Sequence, residues 1–137
     1  MKIILDGMGG DNAPFSVVEG AVLASRETQH HICIIGQEEL IIPELKKYKY
    51  ESEKISVIHA TQVISNDDAP VRAVRSKKDS SIVKGINMVK NGEGDIFISA
   101  GSTGALLAGG LFILGRIQGI DRPALASVYP IVGGIPS

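Results

Sequence analysis

Short apolar runs typical of β-strands alternate along this chain with longer stretches that carry apolar residues at helical spacing. These patterns predict strands at 2–6, 32–36, 55–59, 95–99 and 124–128, and helices at 14–27, 37–47, 69–76, 80–91 and 103–117. Regular alternation of this kind is typical of α/β folds, in which helices cover a largely parallel sheet. We therefore expect a layered α/β/α fold whose ligands collect beyond the carboxyl ends of the strands.

The composition is that of an ordinary globular domain of 137 residues, with 44% hydrophobic and 21% charged residues. A formal net charge of -1 gives no global field that favours nucleic acid, so we expect no nucleic-acid partner. The single cysteine, Cys33, lies in an apolar strand and is interpreted as a buried core thiol. The three histidines have no further ligands at metal spacing, so we expect no metal. We also expect no cofactor.

Six small or polar residues at 99–104 separate a predicted strand, interpreted as buried, from a predicted helix. A strand that turns directly into a helix leaves unpaired backbone N–H groups at the helix start, where the helix dipole adds positive charge. Gly101 and Gly104 allow the backbone to approach an oxyanion closely, and Ser102 and Thr103 add hydroxyl donors. The stretch indicates an anion site; the alternative is an ordinary turn in which Ser102 caps the helix.

A second glycine-rich loop follows the first predicted strand and precedes a helix. Pro14 suits the first position of that helix, which makes Ala13 the expected N-cap. The loop only superficially resembles a dinucleotide fingerprint, because Asn12 occupies the third glycine position and the strand at 32–36 ends without the acidic residue of a ribose contact. A nicotinamide-binding dehydrogenase is therefore the weaker alternative. We predict a site for a smaller anion, lined by Gly9, Gly10 and Asn12.

Two lysines, Lys77 and Lys78, stand just before the predicted helix at 80–91, for which Asp79 is the expected N-cap. Positive charge at a helix start is disfavoured by roughly 0.3–1 kcal/mol. The lysines therefore either point into water or help to hold an anion at that helix end. The residues alone leave both interpretations open for Lys78.

Four stretches occur in an order that resembles one bacterial family. They are Met-Gly-Gly-Asp-Asn-Ala-Pro at 8–14, Arg-Ser-Lys-Lys-Asp-Ser-Ser at 75–81, Ser-Ala-Gly-Ser-Thr-Gly-Ala at 99–105 and Gly-Arg-Ile-Gln-Gly-Ile-Asp-Arg-Pro-Ala at 115–124. Together they closely resemble the phosphate acyltransferases of phospholipid synthesis, the PlsX family, from residue 1 to roughly residue 130. Ser102 departs from the family pattern, in which many members carry Asn. Family members are more than twice as long, so we expect residues 1–137 to be the N-terminal part of a single, truncated α/β domain that stops at an open strand-and-loop boundary near 131–137.

The resemblance implies a Rossmann-like layered fold, similar to the isocitrate and isopropylmalate dehydrogenases. It also implies acyl transfer from acyl-acyl carrier protein to inorganic phosphate, which gives an acyl phosphate without a cofactor. Lys78 and Asp11 are the predicted catalytic residues: Lys78 adds positive charge, and Asp11 either orients Lys78 or accepts a hydrogen bond from the pantetheine arm. The predicted phosphate-binding residues are Gly9, Gly10, Asn12, Gly101, Ser102, Thr103 and Gly104.

The partners follow from the same resemblance. Arg72, Arg75 and Lys77 offer a basic patch to the acidic carrier protein, with a solvated helix face as the alternative. Family members form homodimers and behave like peripheral membrane proteins, so we expect a cytoplasmic protein with association at the inner face of the cell membrane. The longest apolar stretch, 105–114, is shorter than the roughly 20 residues that span a bilayer. A catalytically silent fragment that acts as a folding or dimerisation unit is the other alternative.

Overall fold

The computed structural model describes residues 1–127. Within that range the chain forms four strands and five α-helices, and the last helix continues as a π-helix over Gly110–Leu114. In chain order the elements are β1 (Lys2–Asp6), α1 (Phe15–Glu27), β2 (His31–Gly36), α2 (Glu38–Leu45), β3 (Ile55–His59), α3 (Pro70–Ser76), α4 (Ser81–Lys90), β4 (Ile96–Ile98) and α5 (Thr103–Gly109).

The four strands form one parallel sheet in the order β3-β2-β1-β4. The chain runs outward from β1 through β2 to β3, and then returns to place β4 on the other side of β1. The connections that leave β1 and β4 therefore turn to opposite faces of the sheet, which makes the gap between their carboxyl ends a topological switch point. The predicted α/β fold with a mostly parallel sheet is confirmed.

Alternating strand residues fill the two faces of the sheet. On one face, Ile32 and Ile34 pack against Val18 of α1. On the opposite face, Cys33 packs in a cluster with Met88 of α4 and is completely buried, which confirms its predicted place in the core. A further cluster between α3, α4 and α5 packs against Phe97 of β4 and completes this second helical layer. The result is a three-layer α/β/α sandwich.

Two predicted elements differ from the structure near the end of the described chain. Residues 124–127 are exposed and adopt no regular structure, and position 128 lies outside the described residues, as does the predicted strand-and-loop boundary at 131–137. A strand forms only where a neighbour completes its ladder, and residues 124–127 pair with none of the described strands. The predicted helix at 103–117 ends at Leu114, because Gly115 takes a φ of 94° and donates its N–H to the Gly110 carbonyl at 2.9 Å.

The start of α1 also lies one residue later than predicted. The Val18 N–H donates to the Pro14 carbonyl at 2.9 Å, so Pro14 is the N-cap and Phe15 is the first helical residue. Proline fits this position as well as the next, because a helix start needs neither N–H as an intrahelical donor. Ala13 belongs to the preceding turn.

β4 is an edge strand, which contradicts the predicted burial of its apolar run. Ile96 and Ile98 are 44% and 48% exposed, respectively. A strand of a parallel sheet is fully buried only when helices cover both faces and strands flank both edges, and within residues 1–127 β4 pairs with β1 alone. Its other edge pairs with no strand among the described residues.

The contact between α4 and β4 gives a test of the packing. Gly85 of α4 lies directly on the Phe97 ring, so a Cβ at this position would overlap the ring. We expect Gly85→Ala to lower the free energy of unfolding by about 1–3 kcal/mol because of this overpacking. Urea denaturation measures the change.

The matched control is Gly20→Ala in α1, where an added Cβ meets nothing within 4 Å. That variant is expected to raise the free energy of unfolding by roughly 0.5–1 kcal/mol, because alanine favours a helix over glycine. A Gly85→Ala protein as stable as its parent would contradict the described contact.

Candidate functional site

Two glycine-rich segments meet at the switch point of the sheet: the β1 loop, residues 7–14, and the β4 loop, residues 99–102. A Cβ on Gly9 would lie 2.8 Å from the Gly101 nitrogen, and one on Gly101 would lie 3.2 Å from the Gly9 Cα. A Cβ on Gly10 would lie 3.3 Å from the Ala100 Cβ. The two backbones therefore touch at positions where no side chain fits between them. The structure brings Gly9, Gly10 and Gly101 of the predicted site together.

A buried carboxylate at the end of β1 joins the two loops. Asp6, the last residue of β1, is 2% exposed and accepts a hydrogen bond from the Met8 N–H at 3.0 Å through Oδ1. Its Oδ2 accepts a hydrogen bond from the Ser99 hydroxyl at 2.7 Å. The Ser99 oxygen in turn accepts the Gly101 N–H at 3.0 Å. The loops are thus held to each other across 93 residues of sequence by side chains at the ends of two neighbouring strands.

Sequence reasoning missed Asp6 and Ser99 as site residues. An acidic residue that ends an apolar strand directly before a glycine-rich loop is an identifiable signal, because such a carboxylate is buried at one end of the sheet and needs donors there. Its partner is not identifiable in this way. Ser99 becomes the partner only because β4 pairs in register beside β1, with Leu5 opposite Ile98.

The backbone donors of the β4 loop differ in part from the prediction. The Gly101 N–H, predicted to bind phosphate, already donates to Ser99, so it is not open to an anion in this geometry. The next three N–H groups, those of Ser102, Thr103 and Gly104, donate no hydrogen bond to the described part of the protein. In the β1 loop the same holds for the N–H groups of Gly10, Asp11 and Asn12. These two sets are the available backbone donors of the site.

The side chains at the start of α5 have different environments. Ser102 is 5% exposed and is the N-cap of α5, since its hydroxyl oxygen accepts the Ala105 N–H at 3.2 Å. The capping role considered for Ser102 is confirmed, and its hydroxyl hydrogen stays available for a second partner. Thr103 is exposed. Gly104 packs against Pro70 at the start of α3, where a Cβ would lie 2.7 Å from the Pro70 Cγ.

The polar residues of the β1 loop lie at the surface. Asp11 and Asn12 are both exposed, and neither side chain makes a hydrogen bond or ion pair with another residue in the range 1–127. The Asn12 carbonyl accepts the Ser16 N–H at 3.1 Å and thereby leads the chain into α1. Asp11 is therefore not paired with Lys78 in this structure, although the sequence offered that pairing.

The predicted cationic residues stay apart from the two loops. The Lys78 ammonium lies 3.4 Å from the Val74 carbonyl one helical turn earlier, and no hydrogen bond links it to either loop within the described chain. Lys77 is held by the Asp68 carboxylate at 2.7 Å and by the Val63 carbonyl at 2.8 Å. Lys77 is thus committed to a local ion pair, which neutralises its contribution to a basic patch.

The other two members of the predicted patch are more open. Arg72 and Arg75 are exposed on α3. The Arg75 guanidinium lies 5.3 Å from the centre of the Phe112 ring, a cation–π geometry that leaves its N–H donors available. Of the three predicted patch residues, the structure therefore leaves two arginines on one helix surface.

Asp79 does not have its predicted role as the N-cap of α4. Its Oδ2 accepts both the N–H and the hydroxyl of Thr61, at 2.8 and 2.5 Å, and its Oδ1 pairs with Lys84. Ser80 is the N-cap instead, with its hydroxyl oxygen accepting the Val83 N–H at 3.3 Å. The bonds from Lys84 and Thr61 hold the pKa of the Asp79 carboxyl well below its usual range. Asp79 therefore ties the segment after β3 to the start of α4.

Two observations concern metals and membranes. Among residues 1–127, no group of three or more His, Cys, Asp and Glu side chains is placed to hold a metal ion. None of the helices in this range combines the length and apolar character needed to cross a bilayer.

A family model described as fatty acid synthesis protein matches residues 1–136 of the chain. The chain belongs to this family. Several relatives carry the name phosphate acyltransferase. The protein of Alkaliphilus oremlandii is 57% identical over 98% of this chain, that of Clostridioides difficile is 56% identical over 96%, and that of Halothermothrix orenii is 48% identical over 98%. The resemblance inferred from the four sequence stretches is therefore confirmed.

These matches cover much less of the relatives than of this chain. The aligned region is 40% of the Alkaliphilus and Halothermothrix proteins and 39% of the Clostridioides protein. The chain thus spans about 40% of the length of the curated relatives it matches. The site formed by the β1 and β4 loops lies wholly within the shared region.

The Asp79 contacts predict the acid sensitivity of the fold. Because the folded-state pKa is lowered, the unfolded chain binds more protons in acid, so the stabilisation is present above about pH 4 and is lost as the pH falls below it. Asp79→Asn should therefore lower the urea midpoint at pH 7 and flatten its fall between pH 5 and pH 2. The midpoints of both proteins across this range measure the effect.

Asp67→Asn is the control for this experiment, since Asp67 is exposed and makes no hydrogen bond or ion pair within the described residues. Its midpoints should follow those of the parent at every pH. Parallel acid profiles for Asp79→Asn and the parent would contradict the assigned role of Asp79.

Proposed function

We propose that the protein transfers an acyl group from acyl-acyl carrier protein to inorganic phosphate and so forms an acyl phosphate for phospholipid synthesis. The main observation in support of this proposal is that the β1 and β4 loops meet at the switch point between two parallel strands. Ligands of open α/β sheets bind at such a point, beyond the carboxyl ends of the strands. The name phosphate acyltransferase of the similar proteins supports an acyl and a phosphate substrate.

The space bordered by the β1 loop and the β4 loop, which we call the crevice, suits a small anion for two reasons. Glycines form its closest approach, so backbone N–H groups instead of side chains face an occupant of this space. In addition, α1 follows the β1 loop and α5 follows the β4 loop, so the positive ends of two helix dipoles adjoin the crevice from opposite faces of the sheet. A tetrahedral phosphate has enough oxygens to accept hydrogen bonds from both loops at once.

The proposed reaction needs little from the protein beyond placement and charge. A phosphate oxygen attacks the thioester carbonyl, the C–O bond forms, the C–S bond breaks, and the carrier thiol leaves with a proton. Phosphate is its own nucleophile, so no Ser-His-Asp constellation is required. Placement of the two substrates supplies up to about 7–11 kcal/mol of the barrier. A donor to the oxyanion of the tetrahedral intermediate contributes about 2.7–4 kcal/mol.

The residues take the following parts in this proposal. Phosphate accepts hydrogen bonds from the N–H groups of Ser102, Thr103 and Gly104, with Gly9, Gly10 and Asn12 on the opposing wall. Lys78 supplies positive charge by turning its flexible side chain from Val74 towards the anion. Asp11, exposed and unpaired within residues 1–127, accepts a hydrogen bond from the pantetheine arm. The repulsion between a carboxylate and phosphate places Asp11 on the acyl-donor side.

We further propose that the protein works as a homodimer at the inner face of the cell membrane, where its acyl product is used. The exposed Arg72 and Arg75 on α3 receive the acidic carrier protein. Opposite charges across such a contact increase the rate of encounter more than the final affinity.

The first experiment tests the activity and the two loops. The protein as its organism makes it is supplied with inorganic phosphate and acyl-acyl carrier protein, and acyl phosphate is measured. Gly9→Ala should reduce turnover about 100-fold, because its Cβ would lie 2.6 Å from the Asp6 Oδ2 and 2.8 Å from the Gly101 nitrogen and must push the loops apart. Gly20→Ala, in an open stretch of α1, should leave turnover unchanged.

Lys78→Ala separates the lysine from the loops in the same assay. Because the side chain is exposed, its removal should leave the melting temperature unchanged and sharply reduce acyl-phosphate formation. Near-normal turnover of Lys78→Ala would remove the lysine from the site, and an inactive parent protein would reject the proposed reaction. Assay of the 137-residue chain alone distinguishes an active unit from a silent folding or dimerisation unit.

The second experiment tests the carrier-protein surface. Reversing both charges with Arg72→Glu and Arg75→Glu should raise the KM for carrier-bound substrate roughly tenfold, because the electrostatic attraction to the acidic partner is replaced by repulsion. The KM for a carrier-free acyl thioester should not change. Lys90→Glu, exposed at the end of α4, is the control for a reversed surface charge elsewhere. Equal rises in KM for the two thioesters would refute the patch.

A further inference from the structure

We propose that Asp6 is a positioning residue: acting through the Ser99 hydroxyl, it fixes the spacing of the β1 and β4 loops and thereby sets the affinity of the crevice for a tetrahedral anion. The inference deepens the proposed function, on which it rests. Asp6 adjoins the crevice without facing it, since its side chain is buried beneath the contact between Gly9 and Gly101.

The hydrogen-bonding state of Asp6 supports this role. A buried carboxylate is costly unless donors surround it, and no cation among the described residues pairs with Asp6. Its two oxygens are served by one donor from each loop: the Met8 N–H of the β1 loop and the Ser99 hydroxyl of the β4 loop. Separating the loops therefore removes a donor from a buried charge, which the fold resists.

The direction of the Ser99 hydrogen bonds makes the link specific. A hydroxyl has one hydrogen, and that of Ser99 is donated in the hydrogen bond to the Asp6 carboxylate. The Ser99 oxygen therefore presents a lone pair to the Gly101 N–H. The Gly101 N–H is then directed inward, and the next available donors are those of Ser102, Thr103 and Gly104 at the start of α5. Asp6 thus determines which N–H groups of this loop are left to an anion.

The Gly9 backbone is closely packed against the groups that form this link. A Cβ added to Gly9 would lie 2.6 Å from the Asp6 Oδ2, 2.9 Å from the Ser99 oxygen and 2.8 Å from the Gly101 nitrogen. The backbone of the β1 loop therefore rests on the carboxylate, on the hydroxyl and on the β4 loop at once. A rotation of either side chain shifts Gly9 against Gly101, and anion binding depends on sub-ångström placement of donors from both loops.

The chain contains a matched control at the other end of the same two strands. Asp95, just before β4, accepts the Lys2 N–H of β1 at 2.6 Å. It therefore also links β1 to β4 through an aspartate carboxylate, but at an exposed position, at the amino end of the sheet and away from both loops. If Asp6 acts on stability alone, neither Asp6→Asn nor Asp95→Asn should change the phosphate affinity of the folded protein.

The test compares Asp6→Asn, Ser99→Ala, the double variant and Asp95→Asn in the protein as its organism makes it. Melting temperature, equilibrium binding of inorganic phosphate by calorimetry, and the separate KM values for phosphate and acyl donor are measured. We expect Asp6→Asn and Ser99→Ala each to weaken phosphate binding, and to raise its KM, by about 10- to 100-fold. The KM for the acyl donor should change less than twofold.

Two further expectations identify positioning as the cause. The double variant should bind phosphate no more weakly than the worse single variant, because both changes break one link. Asp95→Asn should lower the melting temperature and leave phosphate affinity at the parent value. Ser99→Thr, which keeps the hydroxyl, should bind phosphate more tightly than Ser99→Ala.

The outcomes separate this inference from the proposed reaction. If the parent protein binds phosphate but forms no acyl phosphate, the proposed function fails while the binding series still decides the role of Asp6. The inference is overturned if Asp6→Asn keeps the parent's phosphate affinity, if Asp95→Asn weakens binding as much as Asp6→Asn does, or if the two changes add in the double variant. It is also overturned if the parent binds no phosphate at millimolar concentration.

Discussion

The contact between the β1 and β4 loops depends on one chain of hydrogen bonds, from the Met8 N–H and the Ser99 hydroxyl to the Asp6 carboxylate, and from the Gly101 N–H to Ser99. A hydrogen bond to a buried carboxylate is stronger than one between neutral groups, and its loss leaves the charge without solvent or partner. The loops of a parallel sheet are otherwise tethered only at their strand ends. Here that chain also sets their separation, and the glycines make the small separation sterically possible.

The strand order places this contact at the switch point of the sheet, where ligands of α/β folds bind. β4 is added beside β1 after the chain has gone out to β3. The first and the last strand of the described sheet are therefore neighbours, and the helices that follow them lie on opposite faces. The crevice that we propose for the anion lies between the helix starts, beside backbone N–H groups and the positive ends of two dipoles. The same placement leaves β4 at the edge of the described sheet, with Ile96 and Ile98 about half exposed. One topological feature thus accounts for both the crevice and the apolar edge beside it.

Much of the fold was predictable because its signals are local. Apolar runs at β-spacing and helical spacing gave β1 and β3 with the correct bounds, gave β2 and β4 within two residues, and placed four helices within two residues at each end. The early end of the helix predicted at 103–117 follows from Gly115, a local signal, but two other errors occurred where a partner decides the outcome. Residues 124–127 have the composition of a strand but no neighbouring ladder among the described strands, and Asp79 lies one residue before the N-cap Ser80 with its carboxylate bound by Lys84 and Thr61. Local preference is overridden wherever tertiary contacts offer a better partner.

The candidate site divides in the same way. Glycine-rich loops after strands can be recognised in a sequence, because glycine and small polar residues at a helix start leave backbone N–H groups open to an anion. The sequence by itself therefore determined the α/β class, the family resemblance and the two loops as anion-binding candidates. Only the tertiary structure decided that these loops touch, that Asp6 and Ser99 join them, and that Lys77 is committed to Asp68 instead of to a basic patch. The physical reason is distance along the chain. Hydrogen bonds and ion pairs depend on positions in space to within a fraction of an ångström, and partners 93 residues apart are brought together by the register of the sheet, which no local pattern records.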